Sequence, residues 1–305
     1  MCAYKILILG ATGMLGHTLF ARLAGRKNFE VHATARGRVG LAAWFSPQLL
    51  ARIHGSVDAT NFDSILQVLA EVKPDVVVNC IGIIKQLPVA QNPLIAIGIN
   101  ALFPHRLALA CQTAGARLIH ISTDCVFKGD KGDYTEDDPA DAVDLYGRSK
   151  FLGEVTEPHC VTLRTSIIGH ELQGAHGLVE WFLAQPGKVR GFTRAIYTGM
   201  PTVEMERIIA EHVIPNRNLS GLHQVSSAPI SKYDLLQLVA RQYGKQTEIE
   251  RHDDFVCDRS LDSSRFQAMT GYKPPAWPQL VEAMWRDYQW RIAPAMPPLN
   301  KQPGA

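Results

Sequence analysis

The sequence predicts an α/β protein, in which a doubly wound parallel sheet is followed by a smaller mixed α/β C-terminal lobe. Three observations support this prediction. The first half of the chain alternates short apolar runs with helical patterns, a glycine-rich turn follows the first apolar run, and the alternation stops near residue 165. Strands that alternate with helices need crossover connections, which pair the strands in parallel and cover both faces of the sheet.

The first half of the chain contains six predicted strands and four predicted helices. Nearly continuous apolar runs such as Ile6-Leu7-Ile8-Leu9 are typical of strands that are buried on both faces. The predicted strands are residues 4–9, 30–35, 53–57, 76–78, 117–121 and 160–163, and the predicted helices are 14–24, 62–72, 93–114 and the segment that carries Tyr146.

The second half is less regular. Helices are predicted over residues 203–214 and 232–243, and strands over 222–226 and 247–250. We therefore expect one domain over 1–165 and a second lobe over 166–293, with strands that can cross between them. Residues 294–305 are rich in proline and polar residues and are expected to form a flexible tail.

Composition and charge exclude several classes of function. The 305 residues carry a net charge of +2 without a basic block, so we expect neither a nucleic acid nor a membrane surface as partner. The six cysteines show no CxxC and no metal-ligand spacing, so no metal site is expected. We expect a reduced, cytoplasmic compartment, and no apolar stretch near the roughly 18 residues of a membrane-spanning helix.

The glycine-rich turn reads Gly10-Ala11-Thr12-Gly13-Met14-Leu15-Gly16 and joins the first strand to the first helix. Glycines at this place allow a tight turn and close approach of the backbone to a pyrophosphate, which the N–H groups of the helix N-terminus then bind. The turn predicts a Rossmann-like, NAD(P)-binding domain over residues 1–165. Its cofactor-binding residues are Gly10, Thr12, Gly13, Met14, Leu15 and Gly16.

Arg36 indicates which dinucleotide is used. It stands at the end of the second strand, where an acidic residue would bind the ribose diol of NAD. A guanidinium matches a 2′-phosphate in geometry and charge. We therefore expect NADPH to be preferred, while the use of NADH stays open, as does the alternative that Arg36 is only a solvated loop charge.

Tyr146 and Lys150 are candidates for proton transfer. Residues four apart on a helix lie on one face, and a nearby ammonium is expected to lower the pKa of the phenol. Ser122 and Thr123 end the preceding strand, and the carboxyl ends of parallel strands are where such sheets bind ligands. Because side chains alternate along a strand, the two hydroxyls are expected to face opposite sides of the sheet.

Together these residues resemble an extended short-chain dehydrogenase/reductase, and within it the dTDP-4-dehydrorhamnose reductase group. The motifs typical of that group are STDxVFxG, YGxSKxxGE and LRTS, which appear here at residues 122–129, 146–154 and 163–166. The resemblance covers roughly residues 3–166. Beyond them, Gly199-Met200-Pro201-Thr202 is similar to a GxPT element of these reductases.

The resemblance implies an activity and a set of site residues. The reaction is the NADPH-dependent reduction of the 4-keto group of a nucleoside-diphosphate 4-keto-6-deoxy sugar, for deoxysugar and polysaccharide biosynthesis. Tyr146 is implied as the proton donor, Lys150 as its partner that holds the nicotinamide ribose, and Thr123 as the group that orients the carbonyl. The other implied cofactor contacts are Asp58, Ala59, Cys80, Ile81, Gly82 and Asn100, and the implied substrate contacts are Lys85, Thr123, Asp124 and Tyr146. The second lobe is implied to bind mainly the substrate, and a homodimer is possible.

Two segments depart from the family pattern, at residues 79–86 and 195–197, and both bear on substrate recognition. They leave the nucleobase (dTDP, UDP or GDP) and the exact sugar open. His170 and His176, in a glycine-rich loop, could reach substrate but are interpreted as surface histidines.

Other functions stay open at this stage. An NAD-dependent nucleotide-sugar epimerase or dehydratase would share the fold, although epimerases usually carry an acidic residue where Arg36 stands. A non-catalytic dinucleotide-binding regulatory protein is a further alternative, but such proteins usually lose the tyrosine or the lysine, and both are present here.

Overall fold

The computed structural model describes residues 4–292. The predicted tail at 294–305 lies outside the described residues. Most of the elements predicted from the sequence are present within a few residues of their expected bounds.

A seven-stranded sheet forms the centre of the protein, and every neighbouring pair of strands in it is parallel. This confirms the predicted doubly wound sheet. Its strands are β1 (Tyr4–Leu9), β2 (Phe29–Thr34), β3 (Ile53–His54), β4 (Val76–Asn79), β5 (Arg117–Thr123), β6 (Cys160–Thr165) and β11 (Gly221–Gln224). Their order across the sheet is β11-β6-β5-β4-β1-β2-β3. The smaller sheets use β7 (Ile167–Ile168), β8 (Val189–Phe192), β9 (Ala195–Tyr197), β10 (Met200–Pro201), β12 (Ile230–Ser231), β13 (Ile249–His252) and β14 (Cys257–Asp258).

Eleven α-helices accompany these strands in the described residues. They are α1 (Met14–Leu23), α2 (Pro47–Leu50), α3 (Phe62–Val72), α4 (Pro93–Ala96), α5 (Phe103–Ala114), α6 (Leu145–Leu152), α7 (Leu178–Ala184), α8 (Thr202–Ile208), α9 (Lys232–Tyr243), α10 (Ser264–Thr270) and α11 (Trp277–Asp287). π-Helical turns occupy Ile97–Leu102, Ile209–Val213 and Tyr288–Ile292. The first joins α4 to α5 in one continuous helix.

Of the four apolar clusters in the described residues, the three large ones hold the layers together. One face of the central sheet packs against α1 and α8, and the other against α3 and α5. The third core lies in the second lobe, where α7, α9 and α11 bury side chains such as Phe182, Leu235 and Leu280. Burial of this apolar surface is the main favourable contribution to the free energy of folding.

The second half of the chain returns to the first domain's sheet. Strand β11 pairs with β6 in parallel, with Gly221 opposite Val161 and Gln224 opposite Arg164. Helix α8 packs beside α1, where the Thr18 hydroxyl donates to Thr202 Oγ1 at 3.1 Å. Residues of the second half therefore extend the central sheet by one strand and help to cover one of its faces.

The continuous helix Pro93–Ala114 corrects one expectation. Its 22 residues, with a mean hydropathy of 1.6 over the most apolar window, are by length and composition enough to cross a membrane, whereas no such stretch was expected. Half of that window is buried inside the fold, and α5 packs against β5. Core helices of soluble proteins have the same composition, so this helix is weak evidence for a membrane span.

Candidate active site

The glycine-rich turn has the backbone geometry that its sequence predicts. Gly10 has a φ of +91°, which favours glycine, and its N–H donates to Thr34 Oγ1 at 3.2 Å. A Cβ on Gly16 would lie 2.0 Å from the carbonyl oxygen of Gly10, so α1 approaches the end of β1 as closely as a glycine permits. The turn is therefore tight, and its geometry favours glycine at two positions, Gly10 and Gly16.

The N-terminus of α1 fits an anionic group. Gly13 is the N-cap residue of α1 and makes no side-chain hydrogen bond to the first turn, and that turn carries no acidic residue. Thr12 and Gly13 are exposed, whereas Leu15 is buried in the core and so presents only its backbone. The free N–H groups and the positive end of the helix dipole are the features that bind a pyrophosphate.

Arg36, Asp58 and Ala59 lie at the same edge of the sheet. Arg36 is exposed, and Asp58 and Ala59 are partly buried. Hydrogen bonds from Thr60 hold the pKa of the Asp58 carboxyl below its usual value, and the charge of Arg36 contributes to this lowering. The fold thus brings together the two charged residues expected at the adenosine end of the cofactor.

Asn100 fixes the loop that follows β4, to which Cys80, Ile81 and Gly82 belong. Its Oδ1 accepts from the N–H of Ile83 at 2.8 Å, and its Nδ2 donates to the Ile83 carbonyl at 3.1 Å. Asn100 is 1% exposed and lies in the π-helical turn Ile97–Leu102, a kind of turn that is frequent at functional sites. The side-chain amide of Asn100 therefore holds the backbone of this loop in place through both of its polar atoms.

Thr123 and Tyr146 face each other across the carboxyl end of β5. The Thr123 hydroxyl is close enough to the Tyr146 phenol to act against the rise in its pKa. Thr123 Oγ1 donates to Asp124 Oδ1 at 3.1 Å and accepts from the N–H of Cys125 at 3.2 Å. Ser122 points to the other side of the sheet, where its hydroxyl donates to Glu154 at 2.7 Å. The predicted alternation of the two hydroxyls is confirmed, and it places Thr123 beside the phenol.

The predicted effect of Lys150 on the phenol is wrong for this structure. Burial raises the pKa of Tyr146 well above its usual value of 10, and it outweighs any effect of the ammonium. Lys150 is 6% exposed, and its Nζ donates to the carbonyl of Ile121 at 2.7 Å. Burial also lowers the pKa of Lys150 to about 8.

The substrate residues predicted from the sequence lie around this phenol. Lys85 Nζ is 2.7 Å from Asp144 Oδ2, and Asp144 caps α6 by accepting from the N–H of Gly147 at 2.8 Å. Burial raises the pKa of Asp124, while the nearby Arg259 acts to lower it. The ion pair between Lys85 and Asp144 thus ties the loop after β4 to the helix that carries Tyr146.

Sequence reasoning missed Asp144 and Arg259. An aspartate three residues before Gly147 is a usual helix cap, so a local signal for Asp144 was present. Arg259 had none, because it approaches the site from far along the chain, just after β14, where its Nε donates to the Phe127 carbonyl at 2.7 Å.

His170 is not a surface histidine, which corrects its interpretation from the sequence. It is 3% exposed, and its Nε2 lies 2.8 Å from the hydroxyl of Tyr243. Its carbonyl oxygen lies 2.7 Å from Nε2 of His17, and its ring centre lies 4.3 Å from that of Tyr288, with the two rings tilted by 32°. His176, in contrast, is exposed.

Comparison with known proteins gives a family match over nearly the whole chain. The family model described as "RmlD substrate binding domain" matches residues 4–290. A dTDP-4-dehydrorhamnose reductase of Streptomyces griseus is 34% identical over 149 residues, which are 48% of this chain and 43% of that relative. The chain therefore spans less than half the length of that relative.

Two other matches extend further. The spore coat polysaccharide biosynthesis protein SpsK of Bacillus subtilis is 29% identical over 254 residues, 80% of this chain and 81% of that protein. A solved structure of dTDP-4-dehydrorhamnose reductase from Bacillus anthracis in complex with NADP superposes with a TM-score of 0.75 at 20% identity, covering 93% of this chain and 99% of that one. These matches confirm the fold and the resemblance inferred from the sequence motifs.

Proposed function

Because the chain belongs to the RmlD substrate binding domain family, we propose that it reduces the 4-keto group of a nucleoside-diphosphate 4-keto-6-deoxy sugar with NADPH. The reaction is of the type named in the Streptomyces griseus relative. The observation that carries the proposal is the meeting of Thr123 and Tyr146 at the carboxyl end of β5, with Lys150 buried one helical turn further along α6.

NADPH, when bound, would supply the hydride. The turn at residues 10–16 would hold its pyrophosphate on the free N–H groups of α1, as the absence of a capping side chain at Gly13 in the described residues allows. Arg36 would bind the 2′-phosphate, and the loop that Asn100 fixes would line the ribose and nicotinamide. NADH would then bind more weakly than NADPH, since it lacks the 2′-phosphate that Arg36 would bind.

Tyr146 would donate the proton that the developing alkoxide needs. Burial raises its pKa, so the phenol stays protonated at neutral pH and is ready to act as an acid. Thr123, whose hydroxyl lies close to the same phenol, would orient the carbonyl oxygen between the two hydroxyls. Lys150 would place its ammonium on the cofactor ribose and stabilise negative charge that develops on the phenol during transfer.

Substrate recognition would use Lys85 and Asp124 near the phenol. Lys85 lies in the loop at residues 79–86, whose sequence departs from the family pattern. This loop would therefore also determine which sugar the enzyme accepts. The nucleobase stays open. We also propose that the enzyme is of the short-chain dehydrogenase/reductase type and forms a homodimer.

NADPH oxidation followed at 340 nm, with a panel of dTDP-, UDP- and GDP-linked 4-keto-6-deoxy sugars, tests the proposal. We expect one equivalent of NADPH to be oxidised for each alcohol formed. Conversion of the sugar without net oxidation of cofactor would overturn the proposal and favour an epimerase, and no conversion with any of the sugars would favour a binding protein.

A further inference from the structure

A buried ion pair lies beneath the reacting groups, on the face of the sheet that Ser122 faces. Glu154 Oε1 accepts from Ser122 Oγ and from Arg164 Nε, each at 2.7 Å, and its Oε2 accepts from Arg164 Nη2 at 2.7 Å. The side chains of Glu154 and Arg164 are 6% and 3% exposed. Since a buried ion pair often contributes little net stability, this one invites a functional explanation.

The same strand connects this pair to Lys150. Lys150 Nζ donates to the carbonyl of Ile121, and the next residue, Ser122, donates its hydroxyl to Glu154. Glu154 also follows Lys150 by four positions, just after the end of α6. Consecutive residues of β5 therefore hold the ammonium and the carboxylate at fixed places relative to each other.

Arg164 holds the carboxylate from the far side. It stands opposite Ser122 in the pairing of β5 with β6, and its guanidinium lies 5.1 Å from the centre of the Phe127 ring. Its third nitrogen, Nη1, is buried without a hydrogen-bond partner within the described residues. The two bonds between Arg164 and Glu154 therefore hold both charged groups in one arrangement.

We propose that Glu154, held in place by Ser122 and Arg164, is a positioning residue that keeps the ammonium of the buried Lys150 charged. This deepens the proposed function and rests on it where catalysis is concerned. A charged Lys150 is needed to stabilise negative charge on Tyr146 during proton transfer, and burial alone works against that charge.

The other titratable groups that face Lys150 carry no charge that could replace Glu154. Burial raises the pKa of the Cys80 thiol to about 12 and lowers that of His120 well below its usual value, so both are neutral at physiological pH. Tyr146, on the same helix as Lys150, is protonated because burial raises its pKa. The charge of Glu154 is the largest contribution that raises the pKa of Lys150.

Titration of Lys150 in the protein without ligands tests this directly. The ¹³Cε shift of Lys150, in protein labelled at lysine Cε and assigned with Lys150→Met, is followed with pH in wild type and in Glu154→Gln. We expect the midpoint to fall by about one pH unit in Glu154→Gln, because the nearby opposite charge is lost. Glu282→Gln is the control, since Glu282 pairs with Arg286 at 2.6 Å on the surface, and it should leave the midpoint unchanged.

A second variant covers the case in which Glu154→Gln fails to fold because Arg164 is left unpaired. The double variant Glu154→Gln/Arg164→Met removes both charges and keeps the volume. A smaller fall in the midpoint is expected, because the repulsion by Arg164 is lost together with the attraction by Glu154. An unchanged midpoint in the folded variant would overturn the proposal. The titration needs neither cofactor nor sugar, so its outcome is separate from that of the reductase assay.

If the reductase activity is found, the alkaline limb of kcat/KM gives a second readout. It should move to lower pH in Glu154→Gln by the same amount as the Lys150 midpoint. A fall in kcat/KM that is equal at every pH would instead indicate a purely structural role for Glu154 and would contradict the proposal.

Discussion

Gly16 packs so closely on Gly10 that a Cβ added to Gly16 would lie 2.0 Å from the carbonyl oxygen of Gly10. The backbone just after β1 therefore lies against the first turn of α1. Gly10 itself has a left-handed φ of +91°. The shape of the proposed cofactor site therefore depends on the absence of a single methyl group at Gly16.

Replacing Gly16 by alanine should destabilise the protein. The added methyl group would force α1 away from Gly10, and we expect the free energy of unfolding to fall by about 3 kcal/mol. Gly98→Ala is the control, because no atom lies within 4 Å of its Cβ position and alanine favours a helix. Urea unfolding of both variants measures the difference. Equal free energies of unfolding would show that the protein accommodates the added methyl group of Gly16→Ala without strain.

The elements around this turn could be predicted because their signals are local. The apolar run of β1, the glycine spacing and the four-residue spacing of Tyr146 and Lys150 all lie within a few positions of each other. Parallel pairing then brings the ends of β4 and β5 to one edge, where Asn79 stands opposite His120. The roles assigned to these residues in binding and catalysis stay predictions.

What could not be predicted depends on distant parts of the chain. The raised pKa of Tyr146 comes from burial by the surrounding fold, whereas the sequence shows only that Lys150 is near. His170 is buried because α9 supplies Tyr243, 73 residues further along. Arg259 reaches the Phe127 carbonyl from 132 residues away. Spacing within a motif carries no information about such contacts.

Replacing Tyr146 by phenylalanine should remove the proton donor and leave the site otherwise intact. We expect kcat to fall by about 10²- to 10⁴-fold, with NADPH affinity changed only a few-fold. Single-turnover NADPH oxidation and fluorescence titration measure the two quantities. Tyr4→Phe serves as the control, since Tyr4 lies at the start of β1, where Arg217 stacks on its ring. Full activity without the phenol would rule out Tyr146 as the acid.

Replacing Arg36 by alanine should weaken the preference for NADPH. A charge-assisted hydrogen bond to the 2′-phosphate is worth about 1.5–3 kcal/mol, so we expect the Kd for NADPH to rise about 10- to 100-fold. The Kd for NADH should change little. Arg52→Ala, an exposed arginine just before β3, is the matched control. Equal losses for both cofactors would show that Arg36 does not contact the phosphate.

Lys150 should make the stability of the protein depend on pH in a defined direction. Burial lowers its pKa from 10.5 to about 8, so the folded protein binds this proton more weakly than the unfolded chain does. Below about pH 8 both states are charged, and the folded state bears the full cost of the buried ammonium. Between about pH 8 and 10.5 the folded state loses the proton first, so this cost shrinks as the pH rises.

Lys150→Met removes this cost, and its effect should therefore change with pH. We expect the variant to be more stable than wild type by about 3 kcal/mol at pH 7, with the difference closing as the pH approaches 10.5. Urea unfolding at pH 7, 8, 9 and 10 measures it, and Lys27→Met, at an exposed lysine, should show a small difference that is constant with pH. A large but constant difference for Lys150→Met would mean that packing, and not the buried charge, sets the stability at this position.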